Sequence, residues 1–369
     1  MNFQHYGASL QPKEAVASFA SGSNLEARKD FTVAICTYNG AKRLPNVLEQ
    51  LRCQIDTDSL SWEIIVVDNN SSDNTALVVQ EYQANWPSAY PLKYYFEPEQ
   101  GLAFARRCAI AKAQSSLIGF LDDDNVPASN WVAAAYAFSQ AHPKAGAYGG
   151  QIHGDFEGEL PEGFQRIARF FALIEGNTSY CYNHKYPSNF QRMFPPGAGI
   201  VIRKEAWLES IRERPVLCQF GEDIEMLSRI WQKGWEIWFN PDMQIRHEIP
   251  KSRLEKDYLM RFFWSHGLSR YQMRILNYKP WQRFLTIPAH LANDLRRIIL
   301  HIIKYRRVLK TDLIAACELQ LLLGIFISPF YHWQELIVRN LTLQLERLSF
   351  NKEAEAYNSW FVAQGSMND

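Results

Sequence analysis

Three consecutive acids, Asp122-Asp123-Asp124, directly follow the apolar run of residues 116–121 and precede Asn125-Val126-Pro127. The apolar run reads as a buried strand, so the carboxylates are expected where that strand leaves its sheet. Open α/β sheets bind their ligands at such carboxyl ends. Adjacent anions repel unless a cation neutralises them, and hard divalent ions prefer carboxylate oxygens. The chemistry on offer is a metal-bridged diphosphate site; the plain alternative is a solvated acidic turn. Elsewhere, Tyr38 reads by itself as a turn aromatic, Asp68 as a helix cap and Arg106 as a partner for any neighbouring acid. His247, like most single histidines, reads as structural. Glu222 and Asp223 open a helical stretch, where acids complement the helix dipole. What converts such residues into a site is the frame that holds them.

That frame is a strand–helix alternation. Residues 31–36 form a β-rich run followed by the turn Thr37-Tyr38-Asn39-Gly40, and then by a helical stretch with Pro45 near its start and Val47, Leu48 and Leu51 on one face. Residues 62–67 are nearly continuously apolar, as in a central parallel strand. They end in the turn Asp68-Asn69-Asn70-Ser71-Ser72-Asp73, with a helix over 75–84 behind it. A strand over 92–96 and a helix over 101–113 lead to the strand before the acids. Beyond them come a helix over 131–141, a strand over 145–152, and a Gly-, Pro- and aromatic-rich surface excursion over 154–195. Residues 197–203 return to strand character, with Gly197 and Gly199 allowing close backbone approach. A helix runs from Gly221 to about Gln232. A strand over 235–239 follows, and Asn240-Pro241-Asp242 turns into Met243-Gln244-Ile245-Arg246-His247. Short loops between alternating elements predict a doubly wound, mostly parallel sheet. No GxGxxG follows the first strand, which disfavours a dinucleotide dehydrogenase. The Gly-rich, Arg-containing opening loop of sugar nucleotidyltransferases is absent, and no Ser-His-Asp or Cys-His arrangement stands out.

The totals are ordinary: 369 residues, 47% hydrophobic, 21% charged, with 39 basic and 39 acidic residues. Their distribution is not. Residues 251–310 hold 14 Lys/Arg against 3 Asp/Glu, a local charge of +11 that the remainder offsets. That asymmetry predicts contact with a polyanion or an anionic membrane. Cys36, Cys53, Cys108, Cys181, Cys218 and Cys317 show no metal-binding spacing, and most sit in apolar runs, so free thiols in a reducing compartment are expected. Residues 1–30 lack the apolar core of a signal peptide and read as a flexible leader.

The series VAICTYNG, EIIVVDNNSSDNT, GLAFARRCAI, LIGFLDDDNVP, GAGIVIRKEAW, FGEDIEMLSRIWQKGW and FNPDMQIRH, in this order over residues 31–247, resembles a family 2 glycosyltransferase of the GT-A fold. The excursion and basic tail more narrowly resemble a bacterial hormogonium-polysaccharide glycosyltransferase. The resemblance implies an α/β GT-A domain over 31–250, Rossmann-like, with a mostly parallel central sheet flanked by helices. A largely helical region follows over 251–369. It also implies a metal-dependent (Mn²⁺ or Mg²⁺) transfer with inversion from a nucleotide-sugar, a UDP-sugar by preference, to a polysaccharide or lipid-linked saccharide. Tyr38 would stack on the base, with Thr37 and Asn39 shaping the pocket. Asp68 would hydrogen-bond the base, with Asn70 in the same loop, and Arg106 would lie beside the nucleotide. Asp122 and Asp123 would face the nucleotide-sugar, Asp124 and His247 would hold the metal, and Asp223, beside Glu222, would be the catalytic base. Either Asp123-Asp124 or Asp122-x-Asp124 could form the acidic pair. A non-catalytic sugar- or nucleotide-binding protein of the same fold is the alternative, and a nucleotidyltransferase a weaker one. Acceptor selectivity is expected in the 154–195 excursion and near Trp207.

In the C-terminal third, aromatic and basic residues alternate, as at Tyr258, Arg261, Phe262, Phe263 and Trp264 and again at Arg296 to Ile299. That pattern fits a helix in a membrane interface. No nucleic-acid motif accompanies it, so no nucleic-acid partner is expected. Residues 313–331 are nearly long enough to cross a bilayer. Glu318 and Gln320 interrupt them, however, and an acid at mid-membrane costs about 2.5–3.5 kcal/mol on insertion scales. A monotopic or core-packed helix is therefore expected, on a protein at the cytoplasmic face of the plasma membrane.

Overall fold

A computed structural model describes residues 28–185, 194–211, 221–275 and 278–334. Most of the leader, part of the excursion, Cys218 and residues 335–369 lie outside the described residues. Among the described residues the sheet has nine strands: β1 (Phe31–Thr37), β2 (Trp62–Asp68), β3 (Leu92–Phe96), β4 (Leu117–Asp122), β5 (Asn125–Pro127), β6 (Ala145–Phe156), β7 (Tyr180–Cys181), β8 (Val201–Arg203) and β9 (Glu236–Ile249). Their order is β3-β2-β1-β4-β8-β6-β9-β5, with β7 also pairing β9. Strands β3, β2, β1 and β4 are mutually parallel, as are β6 and β9, whereas β8, β5 and β7 run antiparallel to their partners.

The alternation of side chains across the pleat sorts the apolar residues into two cores, one on each face. Val33, Ile35, Ile64 and Val66 pack under α1 (Leu44–Arg52), α2 (Thr75–Ala84) and α4 (Trp131–Ala141). Ala34, Cys36, Ile65 and Val67 meet α3 (Leu102–Lys112), α5 (Lys204–Ser210) and α6 (Glu222–Gln232). Because both faces are covered, β1 and β2 are buried along their whole length. Register then aligns the ends that matter. Thr37 pairs with Asp68 and Cys36 with Asp122, so three parallel strands finish side by side at one edge.

The structure departs from the sequence reading in several places. The expected turn at Asn240-Pro241-Asp242 is a bulge inside one long strand. The ladder passes from Gly149↔Phe239 to Gln151↔Gln244, and the extra residues sit over Gly150, where a Cβ would lie 1.9 Å from the Met243 carbonyl oxygen. Only glycine leaves room for that backbone. Residues 197–200 form a turn rather than strand, with Gly199 at φ +66° and the Ile200 N–H donating to the Gly197 carbonyl. A further departure is the excursion, which is not wholly a surface feature. Phe164, Ile167 and Phe171 build a third core with Leu259 and Phe263 of α7 (Lys256–Leu268) and with Ile314 and Cys317 of α10 (Leu313–Gln334). Between those helices lie α8 (Arg270–Ile275) and α9 (Pro280–Tyr305).

By length and composition α10 could cross a membrane, a test that core helices also pass. Its acid is accounted for inside the protein. Glu318 accepts from Arg166 of the excursion, which also pairs with Asp312 at 3.0 Å and lies over the Tyr305 ring. α7 and α10 cross in backbone contact, since a Cβ on Gly267 would lie 2.6 Å from the Leu321 carbonyl oxygen and 2.8 Å from Gly324 Cα. Among the described cysteines, Cys36, Cys181 and Cys317 are buried free thiols, while Cys53 is exposed.

Candidate active site

The loops after β1 and β2 interlock at the sheet's carboxyl edge. Asn39 and Asn70 both have positive φ, which Asn tolerates better than most residues. The Asn39 N–H donates to Ser71 Oγ, and Asn39 Oδ1 accepts from the Ser72 N–H. Asp68 is buried and closes its own turn, accepting from the Ser71 N–H at 2.9 Å and the Tyr94 hydroxyl at 2.8 Å. The N-cap of α2 is Asn74, which makes no side-chain cap bond, and Asp73 beside it accepts from the Thr75 N–H at 3.0 Å. Tyr38 projects from this scaffold with 49% of its surface exposed, so an aromatic face is presented above a rigid pair of turns.

The acid triplet divides by environment. Asp122 is half-buried beside Arg106; desolvation first, then the charges of Asp124, Asp223 and Asp123, push its carboxyl up to about 6 despite that cation. Asp123 is held in a fork by Arg43, whose Nε and Nη2 donate at 2.8 and 3.0 Å, and it accepts from Thr37 Oγ1 at 2.6 Å. Asp124 points the other way. Its Oδ1 accepts from Asn125 Nδ2, and its Oδ2 lies 3.2 Å from Arg253 Nη1 and 3.6 Å from His247 Nε2. Burial would raise Asp124, but the His247 contact and the Arg253 and Arg43 charges outweigh it and hold the carboxyl below its usual range.

His247 reaches the triplet because β5 pairs antiparallel with β9, setting Asn125 opposite His247. The Glu248 N–H also donates to the Asp124 carbonyl. His247 Nδ1 faces the Phe171 carbonyl at 3.1 Å, and its Nε2 faces Arg253 Nη1 at 3.3 Å as well as Asp124 Oδ2. Asp124 and His247 are therefore two suitable donors for a divalent ion. No group of three or more His, Cys, Asp or Glu able to hold a metal occurs among the described residues. The donor set fits an ion that takes its other ligands from substrate phosphates and water, as Mg²⁺-type sites commonly do.

Arg106, on α3, is buried and bonds Asp223 through Nη1 while lying over the Phe120 ring. It thus stands between Asp122 and Asp223 and draws the α6 acid toward the triplet. Asp223 also packs on Gly197, where a Cβ would fall 2.3 Å from its Oδ2. Glu222 has a buried Oε2 with no hydrogen-bond partner among the described residues. Burial, then Asp223 and Glu225, push its carboxyl up to about 7 against the pull of Arg106. On the far side of Asp223 opens a cavity of about 1260 Å³ between the sheet domain and helices α8 to α10; Asp223 lines it and Glu222 does not. Trp207 is buried in the second core rather than beside this opening.

The loops therefore gather Thr37, Tyr38, Asn39, Asp68 and Asn70 at one end, Asp122 to Asp124 with His247 in the middle, and Arg106, Glu222 and Asp223 at the other. Sequence reasoning missed Arg43 and Arg253. Each lies far along the chain from the acid it holds, and the only hint of Arg253 was the basic stretch that begins at Lys251.

Residues 32–207 match the family model described as Glycosyl transferase family 2. That span includes the acid triplet and ends before Glu222, Asp223 and His247. The uncharacterized glycosyltransferase YfnE of Bacillus subtilis (strain 168) is 32% identical over 102 residues, covering 28% of this chain and only 25% of YfnE. Glycosyltransferase AglE of Haloferax volcanii is 22% identical over 213 residues, covering 58% of this chain and 64% of AglE. Among solved structures, the mannosyltransferase PcManGT from Pyrobaculum calidifontis, in complex with GDP-Man and Mn²⁺, aligns with a TM-score of 0.53. It covers 86% of this chain and 93% of that one at 16% identity, a likeness of fold.

Proposed function

From a chain whose residues 32–207 belong to glycosyl transferase family 2, on a GT-A sheet, we propose an inverting glycosyltransferase that moves a sugar from a nucleotide-sugar, by preference a UDP-sugar, to a saccharide acceptor. The observation that carries the reading is Asp223: one carboxylate that lines the large cavity while its buried partner Arg106 ties it to the acid triplet.

In this reading the base of the donor lies against Tyr38, in the pocket shaped by Thr37, Asn39, Asp68 and Asn70. Asp124 and His247 would hold a divalent ion, which supplies Lewis-acid stabilisation of the leaving diphosphate when bound. Arg43 fixes Asp123, and Arg253 brings a second cation to the same edge. An acceptor hydroxyl in the cavity gives its proton to Asp223 as its oxygen bonds to the anomeric carbon. The bond from that carbon to the diphosphate oxygen breaks with its electron pair leaving on the phosphate. A single displacement inverts the anomeric centre, so an α-linked donor yields a β-linked product. The Arg106 contact orients the base, and exclusion of Glu222 from the cavity favours Asp223 over its neighbour.

A donor panel read by thermal shift tests the binding half. A ligand at about a hundred times its Kd stabilises by about 2.7 kcal/mol, a rise of roughly 5 °C or more. We expect that rise for one class of nucleotide-sugar and a larger one with Mn²⁺ present. No shift with any nucleotide-sugar, with or without metal, would remove the donor site. The catalytic half is tested at Gly197. Gly197→Ala should push the Asp223 carboxylate aside and lower turnover about 10²-fold, the cost of misplacing a reacting group by about 1 Å. Donor-induced stabilisation should persist. Wild-type turnover in this variant would dissociate Asp223 from the chemistry.

Membrane association belongs to the same proposal. On α9, Trp281 is 66% and Phe284 83% exposed, Leu285, Ile299 and Ile303 are also exposed, and Arg283, Lys304, Arg306 and Arg307 lie on or just beyond the same helix. An exposed apolar stripe with flanking cations suits an anionic bilayer interface. Each buried aromatic contributes about 1.5–3 kcal/mol. Trp281→Ser with Phe284→Ser should therefore reduce co-sedimentation with phosphatidylserine-containing vesicles at least about tenfold. Wild-type protein that stays in the supernatant at low salt would end this part of the reading, and with it the cytoplasmic-leaflet location.

A further inference from the structure

The candidate metal pair already faces a cation of this chain. Arg253 Nη1 lies 3.2 Å from Asp124 Oδ2 and 3.3 Å from His247 Nε2, while those two atoms stand 3.6 Å apart. One guanidinium nitrogen therefore meets both groups that would hold a divalent ion. A guanidinium only donates, so its hydrogen bond to the ring uses the lone pair on Nε2. A neutral imidazole has one such acceptor nitrogen, and a metal ion would take the same lone pair. The carboxylate oxygen is contested in the same way, by one fixed positive charge against two mobile ones.

The two arginines of this edge are held differently. Arg43 commits Nε and Nη2 to Asp123 as a fork. Arg253 makes both of its contacts through Nη1, and its side chain is 33% exposed. Its backbone, by contrast, is pinned. Arg253 belongs to the 3₁₀ turn Lys251–Leu254 between β9 and α7, and its N–H donates to the Pro250 carbonyl at 2.9 Å. The next residue, Leu254, is buried in the third core. A fixed backbone with a long, partly exposed stem lets the guanidinium change partners while the turn stays in place.

We infer that Arg253 competes with the divalent ion for Asp124 and His247, and that the donor's diphosphate relieves the competition by drawing the guanidinium onto its own oxygens. The inference rests on the transfer proposed above and adds a positioning residue that couples ion binding to donor binding. The planar fork of arginine suits phosphate oxygens, and charge-assisted bonds of this kind are the strong ones. Ion and diphosphate then favour each other, each raising the affinity of the other by the same factor.

Titration of the full chain with Mn²⁺ in the absence of nucleotide, followed by the paramagnetic resonance signal of free aqueous Mn²⁺, tests the competition. Asp124→Ala defines the background. Arg253→Met keeps an unbranched stem without the charge, and should bind Mn²⁺ above that background at least about tenfold more tightly than wild type, some 1.4 kcal/mol. Damage to the fold cannot produce such a gain. A second arm compares UDP with uridine by calorimetry in EDTA, where no ion contributes. Wild type should prefer UDP, and Arg253→Met should lose at least about tenfold of that preference. Mn²⁺ affinity that is unchanged or weaker in Arg253→Met overturns the inference and leaves the transfer reading standing. Mn²⁺ binding that Asp124→Ala does not alter removes the metal pair, and the inference with it. A UDP preference undiminished in Arg253→Met overturns the exchange of partners. If neither UDP nor uridine binds, the UDP-sugar reading fails on its own and the Mn²⁺ arm decides this inference.

Discussion

Asp223→Asn is expected to lower kcat by about 10³-fold, within the range for loss of a general base, with donor binding retained. Asparagine keeps the shape against Gly197 but cannot take a proton, and it leaves the buried Arg106 without its carboxylate. Some loss of stability should accompany the loss of rate, since breaking one side of a buried pair leaves a charge uncompensated. Nucleoside diphosphate release, with donor-induced thermal shift as the binding control, separates the two effects. Glu222→Gln is the contrast and should cost far less turnover. Its own signature is in stability. Burial and the adjacent acids raise the Glu222 carboxyl from 4.5 to about 7, so the folded protein holds that proton more tightly than the unfolded chain does. That contribution is complete below the unfolded value and is lost as pH rises to about 7. Removing the charge should therefore raise the melting temperature at about pH 8 and leave it nearly unchanged at about pH 5. If Glu222→Gln instead abolishes turnover while Asp223→Asn does not, Glu222 is the base.

The second large effect is expected at Asp124. Its carboxylate is the one that His247 Nε2 and Arg253 both approach, at 3.6 and 3.2 Å. Asp124→Ala should lower turnover by about 10²–10³-fold, the scale for losing one preorganised electrostatic contact to a leaving oxygen. It should also remove any added stabilisation by Mn²⁺ in the donor thermal shift. Asp123→Ala should behave differently. Asp123 is occupied by the Arg43 fork and the Thr37 hydroxyl, so its loss should loosen the loop after β1 and weaken donor binding more than metal response. Unchanged Mn²⁺ dependence in Asp124→Ala would assign the metal to other residues. Because both registers of the triplet contain Asp124, comparing Asp122→Ala with Asp123→Ala for the loss of the Mn²⁺ response chooses between them.

Much of the frame was legible in the chain. The strands over 31–37, 62–68 and 92–96 and the helices over 75–84 and 131–141 fall where the apolar runs and their breakers put them, because each is a local pattern with a local stop. The acids at the end of β4 were legible for the same reason. Errors came where non-local packing overrode a local signal. Asn240-Pro241-Asp242 has the composition of a turn, yet Gly150 on a strand some 90 residues earlier receives the Met243 backbone and keeps β9 continuous. The three-residue β5 gives almost no periodic signal and exists because β9 supplies its ladder. The Gly- and aromatic-rich excursion has a surface composition, and three of its apolar side chains are nonetheless buried by two helices far along the chain, at Leu259 and Phe263 and at Ile314 and Cys317.

The sequence by itself determined the kind of fold, the sheet edge at which chemistry gathers and the residue types available there, since periodicity and carboxyl-end placement are properties of neighbouring residues. Tertiary structure alone decided which cation meets which acid: Arg43 to Asp123, Arg253 and His247 to Asp124, Arg106 to Asp223. It also decided that arginines from an excursion and two helices share one cavity with Asp223. Electrostatic partnership depends on distance in space, and the sheet order that sets those distances is not written in any single segment.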